Sequence, residues 1–291
     1  MDYACDAPPA DRELLDFAVR PAGRAGRMSA RGFFGDGWSS RRKEDGTEVT
    51  EVDLAVEELV RAELGRRVPE DGLFGEEGGS TAGSSGRRWI VDPVNGTANF
   101  TRRVPLFTND LAHEDEHGPA IGVINMPLSR RVIAAGRGLG CRVLDGAEPD
   151  LRSGRPGRVS TRTRLGGART QMHNPGGWPE ELLTALHRRV LLTPSTGAVA
   201  ALVTGHADAW VVAGPPMGHE DVAPLPVIVA EAGGRVTDLG GASVLAGDMT
   251  VLVTNGHLHD AFLELVRGLP RRRDLRVLEE DLGDGLDDDA D

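Results

Sequence analysis

Residues 89–100 read WIVDPVNGTANF, and this stretch decides how the rest of the chain is to be read. Arg88 to Val91 form a short apolar strand that runs directly into Asp92-Pro93. An acid is thereby placed at a strand end, and proline stiffens the turn behind it. Gly96 and Thr97 follow with backbone amides exposed at the turn, a pattern that can cradle an anion. A carboxylate at a strand end next to an anion cradle is what a metal-assisted reaction on a phosphate requires.

Working outward, EVTEVDLAVEELVRAELGRRVP carries Leu54, Val56, Leu59, Val60 and Leu64 at helical spacing and stops at Pro69, so Asp53 falls near a helix start. Residues from about Asp11 to Arg31 suit an amphipathic helix interrupted by Pro21 and Gly23. The glycine-flanked loop FGEEGG holds Glu76 and Glu77. From Asp110 to Val143, the runs AIGVINMP, RRVIAAG and GCRVL alternate with turn residues and predict adjacent antiparallel strands. Further on, ELLTALHRRV reads as a helix and GAVAALVTGHADAWVV as a helix and a strand. DVAPLPVIVAEAGG reads as a helix closed by two glycines, and HDAFLELVRGL as a final helix. Helices and strands alternate, which predicts an α/β protein.

Composition narrows the class. With 291 residues, 39% hydrophobic and 27% charged, the chain is long enough for a real core in one large domain or two packed lobes. No apolar stretch approaches the roughly 20 residues that span a bilayer, and the N-terminus does not resemble a secretory signal. Cys5 and Cys141 form no CxxC pair or metal cluster, which fits a reducing cytoplasm. His206, His219, His257 and His259 also lack metal-ligand spacing. The net charge is −12, and removing the eight carboxylates of residues 279–291 leaves −4. That segment reads as a solvated tail, and the acidic balance argues against nucleic acid as a partner. No G-x-G-x-x-G after a strand, no P-loop and no serine-hydrolase elbow is present.

Glu76 with Glu77, Asp92 and Asp221 are separated acids at element boundaries, as a hard divalent ion would need. Together with the Asp-Pro-apolar-Asn-Gly-Thr run, they make the chain resemble the inositol monophosphatase superfamily of magnesium-dependent phosphatases. The resemblance includes EVTEVDLAVEELV, FGEEGG, AIGVINMP, STGAVAALVTGHADAW and DVAPLPVIVAEAGGRVTDLGG in the family's order. It implies a layered α/β sandwich of the inositol monophosphatase and fructose-1,6-bisphosphatase type. A metal-binding N-terminal lobe would span residues 1–144, a C-terminal lobe completing the pocket 145–270, and an acidic, disordered tail 271–291.

The resemblance further implies that Glu76, Asp92 and the Val94 carbonyl hold a first Mg²⁺ (or Mn²⁺), and that Asp92, Asp221 and residue 95 hold a second. Thr97, assisted by Asp53, would orient the attacking water. Gly96 and Thr97 would bind phosphate, and Ser195, Gly197, His219 and Glu220 would contact the substrate. A homodimer is expected on the same ground. Two departures stand out. Asn95 replaces the family's Asp, which removes one negative charge from the second metal, and Glu220 stands where the family usually has Trp. Glu220 would either offset Asn95 or read a cationic part of the substrate. Gly214 replaces an acid common in inositol-phosphate members, which disfavours inositol, and the 221–234 segment is more like the histidinol-phosphatase branch. The expected activity is hydrolysis of a small phosphorylated metabolite (histidinol phosphate-like, sugar or cyclitol phosphate). The alternatives are a member that binds a phosphorylated ligand without turnover and one that serves a non-hydrolytic step in a specialised pathway.

Overall fold

The computed structural model describes residues 7–43, 46–146, 148–173, 175–195, 197–214 and 217–273. Helix α1 (Arg12–Phe34) leads into a hairpin, β1 (Ser40–Arg42) and β2 (Glu48–Thr50), and then helix α2 (Glu51–Arg67). Strands β3 (Gly72–Gly75), β4 (Gly79–Thr81) and β5 (Arg88–Asn95) follow, then the short helix α3 (Thr97–Thr101). Next come β6 (Thr108–Asp115), β7 (Gly118–Met126), β8 (Arg131–Gly136), β9 (Gly140–Asp145) and β10 (Arg155–Pro156). The second half runs β11 (Arg169–His173), α4 (Glu180–His187), β12 (Leu191–Pro194), α5 (Ala198–Val203), β13 (Ala209–Val212) and α6 (His219–Val222). It ends with α7 (Leu225–Glu231), β14 (Arg235–Thr237), β15 (Val251–Thr254) and α8 (His259–Val266).

Two sheets organise these elements. An eight-stranded sheet has the order β10-β9-β8-β7-β6-β5-β3-β4, antiparallel except where β3 meets β5, and a five-stranded sheet has the order β12-β11-β13-β15-β14. The antiparallel run expected between Asp110 and Val143 is β6 to β9.

Period-two alternation gives each sheet two apolar faces. In the large sheet, Val91, Leu111, Val123, Val132 and Ala134 pack against α1 and α2. Ile124, Ile133, Ala135 and Val143 face the other way, onto α5 and α7. In the small sheet, Trp210, Val212, Val251 and Val253 join that same middle layer, while Ala209, Val211 and Leu252 face α4 and α8. The result is an αβαβα stack, a layered α/β sandwich with α5 and α7 between the sheets. The middle layer is tight: a Cβ on Gly122 would stand 2.5 Å from the Pro224 carbonyl oxygen, so only glycine lets α7 approach β7 this closely.

Local sequence explains most element ends. Asp11 caps α1, its carboxylate accepting from the Glu13 and Leu14 amides at 2.8 and 3.3 Å. The helix then runs unbroken through Pro21, where the sequence suggests an interruption. A buried face from Leu14 through Ala18, Ala22 and Ala25 on both sides of the proline outweighs the lost hydrogen bond. Pro224 has the opposite effect and separates α6 from α7, which the sequence reads as one helix.

The large sheet continues past residue 144 into β10, which pairs with β9. Arg271 to Arg273, at the start of the expected tail, are tied to the small-sheet side: Gly214 N donates to the Arg271 carbonyl at 2.8 Å, and Arg273 N to the Gly177 carbonyl at 3.1 Å. The remainder of that tail, and Cys5, lie outside the described residues. Cys141 is buried, which pushes its thiol up to about 12 and leaves it inert. Among the described residues no helix is long and apolar enough to cross a membrane.

Candidate active site

The centre of the site is the end of β5. The strand extends beyond Val91 to Asn95 because its ladder with β6 shifts register between Asp92, opposite Asp110, and Asn95, opposite Thr108. In a regular strand, residues three apart face opposite sides; the extra residue brings Asp92 and Asn95 to the same side. Proline at 93 fits a bulge because it has no amide to offer the ladder. Its carbonyl is held by Asn109 Nδ2 at 2.6 Å, and Asn109 is held in turn by Asn125 at 2.9 Å.

Asp221 comes from α6 in the second half of the chain. Its carboxylate accepts from Gly218 N at 2.6 Å and from Asn95 Nδ2 at 2.9 Å, and Asn95 Nδ2 also donates to Asp110 Oδ2 at 3.1 Å. Asp92 lies within hydrogen-bonding reach of Asp221. Both Asp92 and Asp110 are buried, and one oxygen of each, Oδ1, has no hydrogen-bond partner among the described residues.

Crowding leaves a clear electrostatic signature. Burial, then the charges of Glu76, Asp221, Asp110 and Glu220, hold Asp92 well above the usual carboxylate range. Burial likewise raises Asp110 to about 8, with Asp221 adding to the effect and Thr108 and Asn95 lending donors against it. Asp221 is raised to about 7 by burial, with Glu220 and Glu76 contributing.

Glu76 and Glu77 belong to the loop between β3 and β4, which Glu57 of α2 ties down by accepting from Glu77 N and Gly78 N at 2.8 Å each. Lys43, the only lysine in the chain, bridges Glu76 at 2.8 Å and Glu77 at 2.6 Å. Burial pushes Glu77 up to about 7 despite this partner. Burial also works against the Lys43 ammonium, yet its bonds to the two glutamates raise it above the ordinary value.

Beside the acids, Thr97 Oγ1 is 3.0 Å from both Asp53 Oδ1 and the Val94 carbonyl. Asp53 has a second role as the third residue of α2, where it closes a capping box by accepting from Thr50 N at 2.9 Å. Its burial raises its pKa. Gly96 has φ +96°, and its amide and that of Thr97 stand at the open first turn of α3, where a helix leaves its amides without internal acceptors.

The substrate-side residues are more scattered. Gly197 lines an apolar cavity with Asn95, Asp110, Asp221, Trp210 and Met126. Ser195 N donates to the Met172 carbonyl at the end of β11. His219 faces away from that cavity, with Nε2 3.4 Å from an Arg88 guanidinium nitrogen and 3.7 Å from Glu114. The Glu220 carboxylate folds back over the Gly218 backbone. Sequence reasoning missed Asp110, Asn109 and Lys43. The first two had a partial signal: TND at 108–110 sets three adjacent polar residues at the start of a strand that is buried through His113.

The donor chemistry fits a hard divalent ion, because buried carboxylate oxygens without partners are costly unless a cation compensates them. The fit is not a finished cage. Among the described residues no group of three or more His, Cys, Asp or Glu encloses a metal position. Glu76 is engaged with Lys43, and the Asn95 amide lies between Asp110 and Asp221.

The five-layer stack thus gathers acids from three elements at the end of one strand, next to a helix turn whose amides are open. Comparison with known proteins identifies the family. The model of the inositol monophosphatase family matches residues 10–271, and the chain belongs to that family. It is 38% identical to a histidinol-phosphatase of Mycobacterium tuberculosis over 231 residues, 76% of this chain and 85% of the relative. It is 30% identical to an inositol-1-monophosphatase of Mesorhizobium japonicum over 263 residues, 87% of this chain and 96% of the relative. The crystal structure of the extragenic suppressor protein suhB from Bartonella henselae shares the fold with a TM-score of 0.78, at 24% identity, over 89% of this chain and all of that one.

The acid pKa values fix how stability depends on pH. Asp221 and Glu77 titrate near 7 and Asp110 near 8, whereas carboxylates in an unfolded chain titrate near 4. Between those values the folded protein holds more protons than the unfolded one, so stability falls as pH rises. Burial holds His113, His173 and His259 below the ordinary imidazole value, and they work the other way up to about pH 6.5, so in EDTA the melting temperature should drop between about pH 7 and pH 8.5, and the upward shift produced by Mg²⁺ should be larger at about pH 8.5. Thermal denaturation at the two pH values checks this; a melting temperature that rises through the window in EDTA would contradict it.

Proposed function

We propose that the protein is a Mg²⁺- or Mn²⁺-dependent phosphatase that hydrolyses a small phosphorylated metabolite, with histidinol phosphate as the first substrate to test. The observation that carries this reading is the pair of unpartnered buried oxygens on Asp92 and Asp110, which stand opposite each other across β5 and β6, with Asp221 joined to Asp110 through the Asn95 amide. Glu76, Asp92, the Val94 carbonyl, Asn95 and Asp221 would hold the ions. When bound, divalent ions supply positive charge to the phosphoryl oxygens and acidify water within their reach.

The chain's own residues account for the rest. Thr97, whose one proton has Asp53 and the Val94 carbonyl as acceptors at equal distance, keeps lone pairs that would accept from water and orient it toward phosphorus. The Gly96 and Thr97 amides would hold phosphoryl oxygens. Gly214 supports the choice against inositol: with φ +92° and a Cβ that would lie 3.0 Å from the Gly177 carbonyl oxygen, it has no room for the carboxylate of inositol-phosphate members. Glu220 supplies negative charge for a cationic substrate such as an aminoalkyl phosphate. Cytoplasmic placement and a homodimer belong to the same reading.

One observation favours a second reading, in which a phosphorylated ligand binds without turnover. Lys43 and the Asn95 amide already compensate part of the acid cluster without any metal. A panel of histidinol phosphate, sugar phosphates and inositol phosphate, assayed with Mg²⁺ for phosphate release and for binding, separates the two. Release above background with histidinol phosphate supports the phosphatase; binding with no release from any compound supports the second reading.

A further inference from the structure

The position at which the family signature loses a carboxylate, residue 95, has an acid beside it that no motif contains. We infer that Asp110 of β6 supplies the anionic ligand that Asn95 lacks, so that the ion shared with Asp221 is held by Asp92, Asp110 and Asp221. The inference rests on the metal-dependent reading proposed above and deepens it.

Three observations on the structure support this. First, Asp110 is directly opposite Asp92 in the β5–β6 ladder, and cross-strand neighbours present their side chains on the same face, so its place in the cluster is fixed by backbone pairing. Second, Asp110 is 5% exposed and lines a cavity shared with Asp221, and its Oδ1 is buried without a partner among the described residues. A strand facing the apolar middle layer has no structural use for an ionisable group left in that state. Third, the Asn95 amide spans Asp110 Oδ2 at 3.1 Å and Asp221 Oδ1 at 2.9 Å, so one donor already stands between these two carboxylates. The amide donates there in place of a cation. A half-turn about its terminal bond would exchange donor for acceptor, so the same side chain serves the site with and without an ion. The charge that the loop gave up at 95 is regained from the neighbouring strand.

The test is a Mn²⁺ titration of the full chain followed by electron paramagnetic resonance, which counts bound ions without reference to turnover. Asp110→Asn preserves shape and removes only charge, and circular dichroism establishes that it is folded. Wild type should bind Mn²⁺, and Asp110→Asn should bind one ion fewer or bind it about 10- to 100-fold more weakly. The exchange Asn95→Asp with Asp110→Asn, which returns the acid to the loop, should regain the lost ion. Unchanged binding in Asp110→Asn would overturn the inference and leave the metal-dependent reading standing. Loss in Asp110→Asn that the exchange variant does not regain would also overturn it, because the acid would then be irreplaceable for reasons other than its charge. No binding by wild type would remove both.

Discussion

Asp92→Asn should lower phosphate release by roughly 10³-fold or more, because in the metal-dependent reading proposed above Asp92 is the carboxylate that would touch both ions. Asp92 feels the charges of Glu76, Asp221, Asp110 and Glu220, which makes it the electrostatic centre of the cluster. It is 2% exposed, so solvent cannot replace what it contributes. The same substitution should leave the protein at least as stable in EDTA. Without a cation, a carboxyl held well above its usual pKa is a burden on the fold, and an amide of the same shape removes that burden. Mg²⁺ should then raise the melting temperature of wild type but barely that of the variant. Activity assays beside thermal denaturation in EDTA and in Mg²⁺ check both halves. Retained turnover would remove the metal-dependent reading, and a melting temperature several degrees lower in EDTA would mean that Asp92 serves the fold.

Much of the site can be read from sequence where one local pattern serves both fold and chemistry. The apolar run Trp89 to Val91 must be a buried strand, so an acid directly after it must lie at a strand end. Asp53 is legible for the same reason, since a capping box fixes it at the start of α2. Residues brought in by pairing across the sheet are not legible in this way. Nothing near Asp110 in the chain indicates that it will stand opposite Asp92; that depends on a register that shifts by one residue at Pro93. Lys43 is more remote still, reaching Glu76 from a hairpin 33 positions earlier. Pro21 shows a further limit: local propensity says break, but the helix is long enough to bury its apolar face on both sides of the proline, and burial prevails.

Asn95→Asp should have opposite effects with and without divalent ions, which makes it the most informative single change. In EDTA the variant loses the amide that bridges Asp110 and Asp221 and gains a third carboxylate beside them, at a cost of about 1–3 kcal/mol. Its melting temperature should therefore fall. In Mg²⁺ the added charge becomes a ligand. A carboxylate attracts a divalent ion far more strongly in a shielded site than an amide dipole does, so even with Asp110 already supplying an anionic ligand the concentration for half-maximal phosphate release should fall, by about threefold. Glu220→Gln distinguishes the sources of compensation. The Glu220 carboxylate is folded over Gly218, whereas Asp110 is hydrogen-bonded to Asn95 itself. The Mg²⁺ dependence should thus hardly change in Glu220→Gln, and the double variant should behave like Asn95→Asp alone. The measurement is a Mg²⁺ titration of phosphate release for wild type and the three variants. If Asn95→Asp leaves the dependence unchanged while Glu220→Gln abolishes release, the compensating charge comes from Glu220 and not from the strand acid Asp110; if no variant releases phosphate although ligand binds, the site holds its phosphorylated ligand without hydrolysing it.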